Sequence, residues 1–142
     1  MGLSGGFKAE KKRRDGVLIW DVNVRELNDG DAKLMAQEFL EQIKAEVKSK
    51  WIFYAKHVET ENLEPPDMKA IVEVVEILLK SEKESRNLLG CVIQGKSIDD
   101  KVKMAVNIFN TVFGQDTRLC VVDSPEESDR VINTLIEKRV KP

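Results

Sequence analysis

The stretch WIFYAKHVETENLEPPDMKAIVEVVEILLK, residues 51–80, carries the reading of the fold. Trp51-Ile-Phe-Tyr-Ala is aromatic and β-favouring, and its strand character ends at Lys56-His57-Val58. Glu61-Asn-Leu-Glu-Pro-Pro-Asp67 follows as a loop that Pro65 and Pro66 stiffen by fixing φ. From Met68 onward Ile71, Val72, Val75, Leu78 and Leu79 recur at helical spacing. Val74 and Ile77 widen that stripe beyond a single face, so this helix is expected to pack between neighbours. Strand, loop and helix in this order form one unit of an α/β protein, and such a loop is where α/β proteins place contacts or chemistry.

Comparable units lie on both sides. Val17-Leu-Ile-Trp-Asp-Val22 reads as a strand closed by Asn28-Asp29-Gly30. Ala32, Met35, Ala36, Phe39, Leu40, Ile43 and Val47 then form the stripe of a helix with Asp31 as its N-cap. Leu88-Leu-Gly-Cys-Val-Ile is almost continuously apolar, as a strand buried on both faces must be. Val102, Ala105, Val106, Phe109, Val112 and Phe113 mark a third helix ended by Gly114, and Leu119-Cys-Val-Val is a further strand. Ser124, Pro125 and Glu127 supply the N-cap, the first helical position and the capping box of a last helix. Its stripe is Ser128, Val131, Ile132, Leu135 and Ile136, and Lys138 and Arg139 suit its C-terminal dipole. The expectation is a single α/β domain over residues 17–142, with about four mainly parallel strands alternating with four helices through right-handed crossovers. A flexible basic tail over residues 1–16 is expected to precede it.

A chain of 142 residues, 42 % hydrophobic and 34 % charged, is of a size to bury one substantial core. The net charge of -2 gives no dedicated polyanion partner, and no specific nucleic acid is expected. Within residues 1–16, Lys8, Lys11, Lys12, Arg13 and Arg14 outweigh Glu10 and Asp15. Weak contact of Lys11, Lys12, Arg13 and Arg14 with phosphate or an anionic membrane is the most this implies. No apolar run approaches the roughly 20 residues of a membrane span, and the N-terminus lacks a secretory apolar segment, so a cytoplasmic protein is expected. Gly6 stands where a myristoylation signal wants Ser or Thr. Cys91 and Cys120, each inside an apolar run, read as small reduced core residues.

Gly90-Cys-Val-Ile-Gln-Gly95-Lys96-Ser97 matches the letters of a phosphate-binding loop, and Gly95, Lys96 and Ser97 are its candidate phosphate ligands. The competing reading is a strand end, a glycine turn and a helix capped by Ser97, because Cys91, Val92 and Ile93 suit a buried strand. His57 is the only histidine, which rules out a histidine metal site and leaves a strand-end residue or a lone general base. Glu59, Glu61, Glu64 and Asp67 gather negative charge around the central loop. They suit a cation or a basic partner, or simply the positive end of the second helix. Trp20, Trp51, Phe53 and Tyr54 lack the interleaved cations of a nucleic-acid stacking platform and read mainly as core. No catalytic set, cofactor or metal site follows from these residues.

Three segments resemble the STAS family, the modules of anti-sigma-factor antagonists and sulfate-transporter tails. Trp51 to Tyr54 with the loop and Met68-Lys-Ala-Ile-Val-Glu-Val-Val is similar to the family's strand, switch loop and second helix. Leu88 to Gln94 with the helix ending in Phe113-Gly114 resembles its next unit, and Leu119-Cys-Val-Val-Asp-Ser-Pro-Glu-Glu-Ser its closing strand and acidic helix start. The resemblance covers residues 17–139 and implies a non-enzymatic regulatory module that docks a protein partner through the switch loop and adjoining helix. Glu59, Glu61, Glu64, Pro66, Asp67 and Lys69 are then the partner-binding residues. The family's phosphorylatable serine has no counterpart here, since Pro65, Pro66 and Asp67 hold the matching positions. Distant members imply a lipid or small-ligand groove near the same loop.

Overall fold

The computed structural model describes residues 7–25, 30–46, 48–57, 65–81, 87–95, 107, 111, 118–122 and 124–140. The strands are β1 (Phe7–Arg14), β2 (Val17–Val24), β3 (Trp51–His57), β4 (Leu88–Gln94) and β5 (Arg118–Val122). The helices are α1 (Asp31–Ala45), α2 (Pro65–Lys80) and α3 (Pro125–Val140). One five-stranded sheet runs β1-β2-β3-β4-β5 in chain order. The pair β1/β2 is antiparallel and the three remaining pairs are parallel. The α/β class expected from sequence is present, but the sheet is mixed and has one strand more than the four expected. Three helices are described over their whole length. Asn107 and Thr111 are helical, with Thr111 Oγ1 donating to the Asn107 carbonyl at 2.8 Å, while the rest of the expected third helix lies outside the described residues.

The extra strand corrects the expected flexible tail: residues 7–14 pair with β2 from Phe7 opposite Val24 to Arg14 opposite Val17. The two residues between, Asp15 and Gly16, have φ of 51° and 83°. Positive φ at both central positions is what a type I′ hairpin turn requires, and Asp-Gly is among its preferred pairs. A strand this basic suits a sheet edge, where charged side chains discourage further strand pairing. Gly16→Val is expected to lower stability by about 1–2 kcal/mol, since a β-branched residue resists the left-handed conformation. Urea denaturation of the two proteins checks this.

Each face of the sheet has its own core. On one, Leu18, Trp20, Trp51, Phe53 and Cys91 pack with Phe39 and Ile43 of α1 and with Val74 and Leu78 of α2. On the other, Val17, Ile19, Ile52 and Val92 pack against Ile132, Leu135 and Ile136 of α3. The α1 stripe is the expected one from Ala32 to Ile43, and Val47 lies outside the described residues. Gly30, with φ of 87°, occupies the N-cap in place of Asp31, which is the first helical residue and is buried. α2 begins at Pro65, within the stretch expected to be loop; proline is tolerated in a first turn because its missing N–H has no helical partner there. In α3 the Ser124 Oγ accepts the Glu127 N–H at 3.2 Å, the expected cap. No helix among the described residues is long and apolar enough to cross a membrane.

Candidate functional site

The segment expected to dock a partner joins β3 to α2. Glu59, Glu61 and Glu64 lie outside the described residues. Pro66 and Asp67 belong to the first turn of α2, and Lys69 is exposed one turn on. Behind them Ala70, Val74 and Leu78 are buried at i, i+4 and i+8, which fixes the helix against the sheet core. Glu76 and Lys80 are exposed farther along the same helix. The structure thus joins Pro66, Asp67 and Lys69 on one anchored helix start.

Of the residues in the phosphate-loop match, those up to Gln94 form the strand of the competing reading. Gly90 to Gln94 are strand, paired with β3 on one side and β5 on the other. The Gly95 N–H continues the ladder, donating to the Val122 carbonyl at 2.8 Å. A phosphate loop needs those residues curled with their amides facing an anion, whereas here the stretch is a central strand. Lys96 and Ser97 lie outside the described residues. His57 ends β3 in register with Val24. Cys91 is buried and Cys120 half-buried, and neither forms a disulfide. Burial pushes the Cys91 thiol far above its ordinary range, so it stays protonated and inert. No group of three or more His, Cys, Asp or Glu among the described residues is placed to hold a metal ion.

The four cations expected to make weak phosphate or membrane contacts, Lys11, Lys12, Arg13 and Arg14, are all engaged by the fold. Successive side chains of a strand point to opposite faces, and β1 uses both. Lys11 Nζ meets Glu46 Oε1 at 2.7 Å and Arg13 reaches the same carboxylate at 4.0 Å, on the α1 side. The Lys11 hydrogen bond holds the Glu46 carboxyl below its ordinary range. On the α3 side, Arg14 bonds Asp129 at 3.3 Å and Asn133 at 3.4 Å. Lys12 Nζ donates to Asp21 Oδ2 at 3.0 Å.

Asp21 opens a polar cluster that the sequence reading did not single out. It is 5 % exposed, on the α3 face of β2 beyond Val17 and Ile19. Lys56 Nζ of β3 lies 3.2 Å from its Oδ1 and donates to its Oδ2 at 3.3 Å. The same ammonium lies 5.0 Å from the centroid of the Tyr54 ring, a cation–π distance. The Tyr54 hydroxyl donates to Gln94 Oε1, which also accepts the Ser128 hydroxyl at 3.0 Å. Lys12, Asp21, Tyr54, Lys56, Gln94 and Ser128 thus come together from β1, β2, β3, β4 and α3. The available signal was an aspartate at a core-facing position of an otherwise apolar strand, since a buried carboxylate is rare unless paired.

Compared with known proteins, the chain matches no family model and no curated sequence.

Proposed function

We propose that the protein is a non-enzymatic, STAS-like regulatory module of the cytoplasm that docks a protein partner through residues 59–69 and the start of α2. The observation that carries this reading is the anchored helix start. Lys69 is exposed while Ala70, Val74 and Leu78 are buried behind it. A surface held this way loses little side-chain and backbone freedom on binding, which favours a preorganised contact. The strand order β2-β3-β4-β5, with α1 and α2 packed on one face, supports the stacked strand–helix arrangement that the family resemblance implies.

Glu59, Glu61, Glu64 and Asp67 give the docking segment a negative charge suited to a basic patch. With no hydroxyl at Pro65, Pro66 or Asp67, the contact has a fixed charge where a phosphorylated serine would switch it. Asp67 contributes a single negative charge against the roughly 1.5 to 2 of a phosphate, and none of these three positions can be phosphorylated to gate the contact. Cross-linking in extracts of the native host followed by mass spectrometry is expected to identify a partner that the wild-type chain captures. The double variant Glu64→Lys, Asp67→Lys is expected to lose it while keeping its circular-dichroism spectrum. Equal capture by the two folded proteins would sink the proposed surface.

A further inference from the structure

We infer that the Lys12–Asp21–Lys56 cluster is a binding site for a small oxyanion, a phosphate or phosphomonoester, on the sheet face opposite α2. Helix α3 buries the stretch of this face built from Val17, Ile19, Ile52 and Val92. Towards the carboxyl ends of β2, β3 and β4 the same face turns polar, with Asp21, Lys56 and Gln94.

Both ammonium groups touch the same Asp21 Oδ2, at 3.0 and 3.3 Å, so they are close enough for one small anion to bridge. The Lys12 side chain is 50 % exposed and that of Lys56 27 %, whereas Asp21 beneath them is sealed. An ammonium carries three donors, so each lysine keeps N–H groups to offer outward after serving Asp21. One carboxylate between two ammonium groups leaves one positive charge in the cluster itself, and Glu10, the exposed cross-strand neighbour of Asp21, offsets it from the solvent side, where water screens it. Tyr54 under Lys56, tied through Gln94 to Ser128, holds the floor of the site. Lysine suits a compact oxyanion approached as a point charge.

Titration of the 15N-labelled full chain with inorganic phosphate, with chloride at matched ionic strength as control, tests the site. Saturable amide shifts are expected around Lys12, Asp21 and Lys56, with affinity falling roughly tenfold in Lys12→Gln and in Lys56→Gln, the scale of one charged hydrogen bond. Glu10→Gln is expected to tighten binding, and this exposed substitution keeps the inference testable if a lysine variant does not fold. A phosphomonoester titrated in parallel separates a free-phosphate site from one for a phosphorylated metabolite. Shifts that fail to saturate, that chloride reproduces, or that none of the three substitutions alters would overturn the site.

Discussion

Phe39→Ala is expected to lower the stability of the folded chain by about 3–5 kcal/mol, the cost of truncating a fully enclosed aromatic. Phe39 has no exposure and sits where α1 meets the sheet. Its ring stacks on Trp20 at 5.4 Å between centroids, and meets Trp51 edge-on at 5.9 Å and Phe53 at 5.1 Å. These partners lie on β2 and β3, so one side chain couples the first two parallel strands to their crossover helix. Alanine leaves a void bordered by rigid rings, which cannot close it by rotating. Loss of the ring pairs adds to the lost burial, since favourable aromatic pairs contribute about 0.5–1.5 kcal/mol beyond area alone. A thermal midpoint lower by roughly 10 °C follows from the usual size scaling, and calorimetry reads it directly. Leu40→Ala on the same helix provides the comparison. At 9 % exposure, Leu40 lies at the margin of the core and should cost less.

The aromatic node was legible before the structure because Phe39 falls on a helical stripe and Trp51 and Phe53 on alternate positions of a strand. Both periodicities are local, and local periodicity is what a single chain displays best. The α3 start was legible for a similar reason: Ser124, Pro125 and Glu127 are chemical signals within four residues of one another. β1 was missed because its composition, charged throughout Phe7–Arg14 except at Phe7 and Ala9, resembles a solvated tail. What makes it a strand is the Asp15-Gly16 turn and the partner it reaches, together with the carboxylates of Glu46, Asp21 and Asp129. Glu46 and Asp129 are far away in sequence, and Asp21, nine residues from Lys12, comes within reach only once the hairpin closes. The polar cluster was missed on the same grounds. Lys12, Asp21, Lys56 and Gln94 are unremarkable one at a time, and only the β1-β2-β3-β4 order assembles them. The segment at residues 59–69, proposed to dock a partner, was singled out by its prolines and acidity, which are properties of the stretch itself.

The cluster also leads to the second large effect: replacing both Lys12 and Lys56 by Met is expected to cost about 3–5 kcal/mol, more than the two single substitutions together. Either lysine alone still gives Asp21 a counter-charge within 3.3 Å. With both gone, a carboxylate that is 5 % exposed has no cation among the described residues, and desolvation of an unpaired charge is the dominant penalty. Lys56→Met should be the costlier single change, because its ammonium contacts both oxygens of Asp21 and is the more enclosed of the two. Adding Asp21→Asn to the double variant should restore much of the loss by removing the stranded charge, an outcome that simple loss of β1 packing would not produce. The same contacts set an alkaline limit. The Asp21 hydrogen bond and charge raise the Lys12 ammonium above its ordinary 10.5. A group whose folded value is raised contributes fully below its unfolded value and loses that contribution as pH climbs through the folded one. Between pH 6 and about 9 the Lys12 contribution should therefore be flat, and above roughly pH 10.5 the wild-type chain should lose stability faster than Lys12→Met. Urea melts of the wild type, both single variants, the double and the triple variant, run at neutral and alkaline pH, separate these terms. Additive losses, or no rescue by Asp21→Asn, would show that the lysines act by packing alone and that Asp21 does not need them.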